Sequence, residues 1–153
     1  MRINEYKTEL DGKGHTVLVK EKGYNYQGDQ LNNPESIVDM MNTICRMNKK
    51  AEEYAYMLAA NTKMKILGMF EISHGSVDTS ICNPREMYLR ALLCGASQIV
   101  VIHNHPSGDC LPSDADVAVT RRIREAGNII GIQMIDHIII AGDKYYSFKE
   151  NDT

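Results

Sequence analysis

Two histidines and one aspartate have the residue types and the spacing of a metal site. His103 and His105 follow the β-branched, nearly continuous apolar run of residues 97–102, which predicts a buried strand. Because side chains at i and i+2 of a strand point to the same side, both imidazoles can bind one ion. Asp116 follows His105 by eleven positions, and the turn at Pro106-Ser107-Gly108 can return its carboxylate to the histidines. The three residues therefore predict a metal site with three protein ligands.

A site of this composition indicates catalysis. Three protein ligands leave the fourth tetrahedral position of a zinc ion open to water, which is typical of catalytic zinc, and the metal would acidify that water. Structural alternatives stay open for the separate parts. Ser113-x-x-Asp116 is also a helix capping box, and a single histidine at the end of a strand usually makes a structural hydrogen bond. The combination of the parts favours a metal site.

Other zinc signatures do not fit the same residues. A metallo-β-lactamase requires His-x-His-x-Asp-His, whereas Ser107 and Gly108 occupy the last two places here. An amidohydrolase barrel that uses His-x-His needs a much longer chain. A nucleoside deaminase requires His-x-Glu and a later Pro-Cys-x-x-Cys, and the sequence contains neither.

His103-Asn104-His105-Pro106-Ser107-Gly108, with Pro112-Ser113 and Asp116, resembles the JAMM (JAB/MPN metalloenzyme) motif in the form carried by bacterial RadC-like proteins. The similarity continues at Asn83-Pro84-Arg85-Glu86 and at Ile135-Asp136-His137-Ile138-Ile139. It implies an α+β or three-layer α/β fold that resembles cytidine deaminase, with a mixed sheet flanked by helices. It also implies one Zn²⁺ held by His103, His105 and Asp116, and hydrolysis of an amide, peptide or isopeptide bond in a protein or peptide substrate.

Hydrolysis by an activated water requires a carboxylate that takes a proton and is not itself a ligand. The candidates are Glu52, Glu53, Glu71 and Glu86. Glu86 could be a helix cap opposite its Asn-Pro start signal, and Glu71 could face solvent in the middle of a strand, but neither is excluded. The family resemblance favours Glu53 as the catalytic base, and it implies that Ser113 donates a hydrogen bond to the oxyanion. Helix capping stays open as the alternative role of Ser113.

Helix and strand signals alternate along the part of the chain that must position these residues. Apolar residues at helical spacing after the Asn-Pro start signal predict a helix over residues 34–45. The further expectations are a hairpin over 54–60 and 64–72, a helix over 83–94, a strand over 97–102, a helix over about 113–126, and strands over 129–141 and 145–148. This pattern predicts one domain over residues 34–150, identified by the resemblance as a RadC-like MPN (JAMM) domain. Residues 1–33 read as a polar N-terminal extension in which Val17-Leu18-Val19 could add an edge strand.

Composition narrows the function classes. The 153 residues predict a single domain, and 17 Lys and Arg against 20 Asp and Glu give a net charge of -3, which does not support DNA association. Full RadC proteins carry a helix-hairpin-helix region, whereas only the short polar lead precedes Asn33. A signal peptide and a membrane span are not recognisable, so we expect a cytoplasmic protein without membrane contact. The oligomeric state is open.

Two residues near the motif need separate interpretation. Cys110 lies inside the motif loop, and its thiol could replace a ligand or inhibit the metal. His137 is remote in sequence from the ligand set, so we expect it to make a hydrogen bond within the sheet.

The rival hypothesis is a metal-stabilised accessory or binding protein in DNA repair or mobile-element biology. Glu53 and Ser113 favour the enzyme, because structural zinc needs neither a base nor an oxyanion donor.

Overall fold

The computed structural model describes residues 1–75, 82–151 and 153. In these residues seven strands form one mixed sheet with helices on both faces, which confirms the expected α+β class. The elements are β1 (Arg2–Leu10), β2 (Thr16–Asn25), α1 (Pro34–Cys45), β3 (Glu53–Ala60), β4 (Ile66–Gly75), α2 (Pro84–Leu93), β5 (Gln98–Asn104), α3 (Asp114–Ile130), β6 (Gln133–Ala141) and β7 (Lys144–Ser147). The strand order is β2-β1-β4-β3-β5-β6-β7, in which β1 and β4 are parallel, β5 and β6 are parallel, and the other neighbours are antiparallel.

The first two strands extend the sheet at one edge. The sequence indicated at most one strand around Val17-Leu18-Val19, and β2 contains this segment. The preceding strand β1 was not predicted, because its buried face carries the charged Glu5 next to Ile3 and so shows no apolar alternation. Residues 1–33 therefore contain a hairpin, and β1 joins it to the rest of the sheet by pairing with β4.

Two apolar layers hold the helices on the sheet. One face of the sheet packs against α1, which buries Ile37, Met40 and Met41. The other face packs against α2 and α3, which bury residues such as Tyr88 and Ile123. The strand β5 lies inside the sheet and is buried on both faces, as its nearly continuous apolar run predicted. None of the helices in the described part of the chain combines the length and the hydrophobicity needed to cross a bilayer.

The helix α3 is longer than the sequence suggested. The predicted helix ended near Ala126 and the next strand began at Ile129, but α3 continues to Ile130 and β6 begins at Gln133. The helix ends at Gly131, whose φ of 89° fits the left-handed conformation of a C-terminal cap. Ile129 is 87% exposed, so the apolar residue that suggested a buried strand lies on the surface of the helix.

Candidate metal centre

The candidate site lies where the parallel strands β5 and β6 end and α3 begins. In open α/β sheets, this carboxyl edge of parallel strands is the usual position of a binding site. His103 belongs to β5, and the N–H of His105 still donates to the carbonyl of Ile140 on β6 at 2.8 Å. The chain then turns at Gly108, which has a φ of 89° and donates its N–H to the carbonyl of His105. This turn leads the chain back to α3, whose first turn contains Asp116.

The three predicted ligands lie together. His103 Nε2 is 3.0 Å from His105 Nε2 and 3.4 Å from Asp116 Oδ1, and His105 Nε2 is 3.2 Å from Asp116 Oδ2. Ligand atoms at about 2.0–2.1 Å from a tetrahedral zinc ion are separated by about 3.3–3.4 Å, so the observed spacing suits such an ion. His103 and Asp116 are buried, and His105 is half-buried at the rim. The group could therefore bind a metal ion.

The hydrogen bonds around His105 show which ring atom is available to a metal. Its Nδ1 lies 2.8 Å from the carbonyl oxygen of Asp109. Because a carbonyl can only accept, Nδ1 carries the hydrogen, and in the neutral ring Nε2 has a free lone pair. That lone pair and the carboxylate of Asp116 are acceptors directed at one point, which is the chemistry that a cation satisfies.

Asp116 serves the helix and the candidate metal site at once. Its Oδ2 accepts the N–H of Ser113 at 2.9 Å, and Ser113 Oγ accepts the N–H of Asp116 at 3.1 Å, which confirms the predicted capping box. The two interpretations of Ser113-x-x-Asp116 are thus compatible, because the cap directs the carboxylate towards the histidines. Capping uses Ser113 Oγ only as an acceptor and leaves the hydroxyl hydrogen for another group.

The ionisable groups of the site influence each other strongly. Burial alone would raise the pKa of the Asp116 carboxyl, but the adjacent imidazoles of His103 and His105 and the N–H of Ser113 hold this pKa well below its usual range. The hydrogen bond to Asp116 raises the pKa of His105, against the opposing effect of burial. Burial lowers the pKa of His137 well below its usual value, and the neighbouring His103 acts in the same direction. A proton and a metal ion therefore compete for His105.

Of the four glutamates considered as a base, Glu53 lies on the strand next to β5, on the sheet face that carries His103. It is the first residue of β3 and is half-buried, and it shares a strand face with Ala55, which pairs with His103. Its charge contributes to the raised pKa of His105. Glu71 pairs with Tyr56, whose side chain packs in the layer on the opposite face of the sheet. The geometry therefore distinguishes Glu53 from Glu71.

The other two glutamates have polar partners outside the group of three ligands. Glu52 Oε2 lies 2.6 Å from His74 Nε2, and both side chains are largely exposed. Glu86 pairs with Arg85 and Arg90 on α2. The expected cap role of Glu86 is not what the helix shows, because the side chain of Asn83 accepts the N–H of Arg85. The surface ion pairs of Glu86 replace that role.

The sequence reasoning missed Asn104, the middle residue of the His-x-His pair. Its Oδ1 accepts the N–H of Tyr54 at 2.7 Å, and its Nδ2 donates to the carbonyl of Glu52 at 2.9 Å. These bonds hold the peptide groups on both sides of Glu53. Asn104 is 2% exposed, so its amide is satisfied by the start of β3 in place of water. The signal available in the sequence was the polar amide of Asn104 between the two histidines, directly after the predicted buried strand.

His137 makes the hydrogen bond within the fold that we expected. Its Nε2 lies 2.7 Å from Nδ1 of His103, and its Nδ1 lies 2.6 Å from Oγ1 of Thr120 on α3. Thr120 was not singled out from the sequence, although it lies one helical turn after Asp116 and therefore on the same side of α3. Within residues 1–75, 82–151 and 153, the one cluster of side chains that could hold a metal ion does not include Cys110, which is half-buried in the loop.

Comparison with known proteins places these observations in one family. A family model for the RadC-like JAB domain matches residues 31–153. A UPF0758 protein of Caldanaerobacter subterraneus is 39% identical over 137 residues, which cover 90% of this chain and 57% of the relative. UPF0758 proteins of Clostridium beijerinckii and Alkaliphilus metalliredigens are 39% and 40% identical over 121 residues, which cover 79% of this chain and 52% and 51% of the relatives. The chain thus spans about half the length of the curated relatives it matches.

Proposed function

Because the chain belongs to the RadC-like JAB domain family, we propose that it is a zinc-dependent hydrolase of the JAMM type. It would cleave an amide, peptide or isopeptide bond in a protein or peptide substrate. One observation carries this proposal. A histidine lone pair and a buried carboxylate converge within ligand distance of a second histidine, and the half-buried Glu53 begins the neighbouring strand on the same face of the sheet as His103.

The donor set fits zinc. Two imidazole nitrogens and one carboxylate oxygen are borderline ligands that suit Zn²⁺ and match catalytic three-ligand sites. When bound, the ion would supply Lewis acidity and make water a nucleophile near neutral pH. His103, His105 and Asp116 would hold it, with Asp116 fixed in advance by its capping box.

Glu53 and Ser113 would carry the remaining chemistry. Glu53 would accept a proton from the attacking water and deliver it to the leaving amine, since an amine is a poor leaving group without a proton. The hydroxyl hydrogen of Ser113, which the helix cap does not use, would bond to the carbonyl oxygen as negative charge develops there. A preorganised donor of this kind contributes about 2–4 kcal/mol to the transition state.

Elemental analysis of the purified protein tests the metal part of the proposal. We expect about one zinc per chain in the native protein. The double substitution His103→Ala, His105→Ala should abolish stoichiometric binding, because the single carboxylate left is too weak a site. Zinc that stays stoichiometric in the double variant would refute the ligand assignment.

The hydrolase part is tested separately with zinc-loaded protein and a panel of peptide and isopeptide substrates. Cleavage should occur and should depend on Glu53. Bound zinc without cleavage of any member would instead favour the accessory or binding protein, in which the metal serves structure.

A further inference from the structure

Two buried residues beside the ligands, Thr120 and His137, form a hydrogen-bonded chain that neither the family motif nor the three-ligand site requires. Thr120 and His137 are 1% and 2% exposed. The chain runs from His103 on β5 through His137 on β6 and Thr120 on α3 to the main-chain carbonyl of Asp116. It therefore joins two of the three candidate ligands by a route that avoids the metal position.

The direction of this chain can be read from its far end. Thr120 Oγ1 lies 2.6 Å from the carbonyl oxygen of Asp116, and a carbonyl can only accept. The single hydroxyl hydrogen of Thr120 is thus used in that bond. Oγ1 also lies 2.6 Å from Nδ1 of His137, so Nδ1 must carry a hydrogen and donate it to Oγ1.

The same reasoning continues to the metal ligand. A charged imidazole at this depth would be costly, so His137 is neutral, and with a hydrogen on Nδ1 its Nε2 bears a lone pair. That atom is 2.7 Å from Nδ1 of His103, which must therefore be the donor. A neutral His103 with its hydrogen on Nδ1 has its Nε2 lone pair free, and Nε2 is the atom that faces His105 and Asp116.

We propose that Thr120 and His137 are positioning residues whose one-way chain of hydrogen bonds holds His103 in the tautomer that can bind the metal. This inference rests on the proposed metal site and deepens it. Two further contacts keep the chain in place. The His137 ring stacks on Phe148 with the centroids 4.9 Å apart and the planes 7° apart, and Thr120 is fixed on the helix that also bears Asp116. Rotation of the His137 ring would break both of its hydrogen bonds.

The matched pair Thr120→Val and Thr120→Ser tests the proposal. Valine keeps the shape of threonine and removes the acceptor for His137 Nδ1, so His137 can move its hydrogen to Nε2 and force His103 into the tautomer with a protonated Nε2. Serine keeps the hydroxyl. Loss of an outer hydrogen-bond partner typically lowers metal affinity about 10–100-fold. We expect that loss in Thr120→Val and an affinity within about threefold of native in Thr120→Ser, measured by Zn²⁺ competition titration with a chromophoric chelator. Equal losses in both variants, or none in Thr120→Val, would overturn the proposal.

A second measurement needs no variant and no metal. Long-range ¹H–¹⁵N NMR spectra of the native protein at about pH 8, freed of metal with a chelator, report the tautomer of each of the five histidines. We expect the hydrogen of His103 and that of His137 on Nδ1, with the exposed His15 as an internal reference. A hydrogen on Nε2 of His103 would refute the inference, even if Zn²⁺ binds. Failure of the native protein to bind Zn²⁺ would refute the proposed function, while the tautomer measurement still decides the hydrogen-bonded chain.

Discussion

The substitution Asp116→Asn separates the two roles of this side chain. The amide oxygen of asparagine can still accept the N–H of Ser113, and the N–H of residue 116 still donates to Ser113 Oγ, so the capping box is retained. The negative charge is lost, and an amide N–H₂ donor takes the place of one carboxylate oxygen at the point where His103 and His105 converge. We expect a variant that folds but binds zinc poorly.

The size of the effect follows from mass action. Zinc at 100 times its dissociation constant stabilises the native protein by about 2.7 kcal/mol. In a domain of this size, 1 kcal/mol corresponds to about 2–4 °C, so the melting temperature should rise by about 5–11 °C. Removing a direct ligand should lower the zinc affinity by at least about 100-fold, which is the upper end of the range of about 10–100-fold seen for loss of an outer hydrogen-bond partner. At the same zinc concentration the stabilisation then falls to about 0.4 kcal/mol, or about 1–2 °C.

Thermal unfolding with zinc and with a chelator, at about pH 8, measures this difference directly. Asp114→Asn is the matched control, because Asp114 is an exposed carboxylate in the same first turn of α3 and lies outside the ligand group. It should keep the full zinc-dependent shift. A full shift in Asp116→Asn would show that the carboxylate is not a ligand. A chelator-treated Asp116→Asn protein that is unfolded would show that the charge, and not only the cap, stabilises the metal-free fold.

Three further outcomes are expected. Glu53→Gln should retain zinc, lower the rate of hydrolysis by about 10²–10⁴-fold, and lower the pKa of His105 that NMR titration measures in the metal-free protein. Glu71→Gln, on the opposite face of the sheet, should change neither the rate nor this pKa, and the reverse result would transfer the role of base to Glu71. The raised pKa of His105 means that its proton stabilises the metal-free fold at low pH, and that this stabilisation is lost as pH rises through the pKa of the folded protein. The zinc-dependent rise in melting temperature should therefore be larger at pH 8 than at pH 6. An equal rise at both pH values would contradict competition between a proton and zinc for His105. In Gly127→Ala the new Cβ would clash with the main-chain carbonyl of Ile132 and with the hydroxyl of Tyr88. Denaturant unfolding should therefore show a loss of about 1–3 kcal/mol in the free energy of unfolding, and unchanged stability would contradict this packing.

The convergence of His103, His105 and Asp116 could be predicted because each part of the motif is a local sequence pattern. His103 and His105 share a strand face by the two-residue period, and Ser113-x-x-Asp116 is a helix start signal. The partners of Asn104, Thr120 and His137 could not be predicted in the same way. They depend on which residues of β3 and β6 lie beside β5 and on how α3 packs on the sheet, and both are set by long-range contacts absent from any local pattern.

The predicted boundaries of helices and strands were wrong where the burial of a residue does not follow its apolar or polar character. Ile129 is apolar but exposed at the end of α3, so the sequence suggested a strand too early. Glu5 is charged but buried in β1, so the sequence showed no strand there. Burial raises the pKa of the Glu5 carboxyl, with the nearby Lys22 acting in the opposite direction. In both segments the tertiary environment outweighed the residue type that a periodic pattern detects.

The alternation of β5 explains how three successive residues serve different parts of the site. His103 and His105 face the ligand cluster, while Asn104 between them bonds to the peptide groups that flank Glu53. A slip of one residue between β3 and β5 would turn one of these sets to the wrong face of the sheet. The two hydrogen bonds of Asn104 oppose that slip, because they form only when its amide lies opposite the start of β3. The register of this strand pair therefore fixes the distance between the proposed base and the proposed metal ligands. The same short motif supplies both the two histidines and the residue that sets the register.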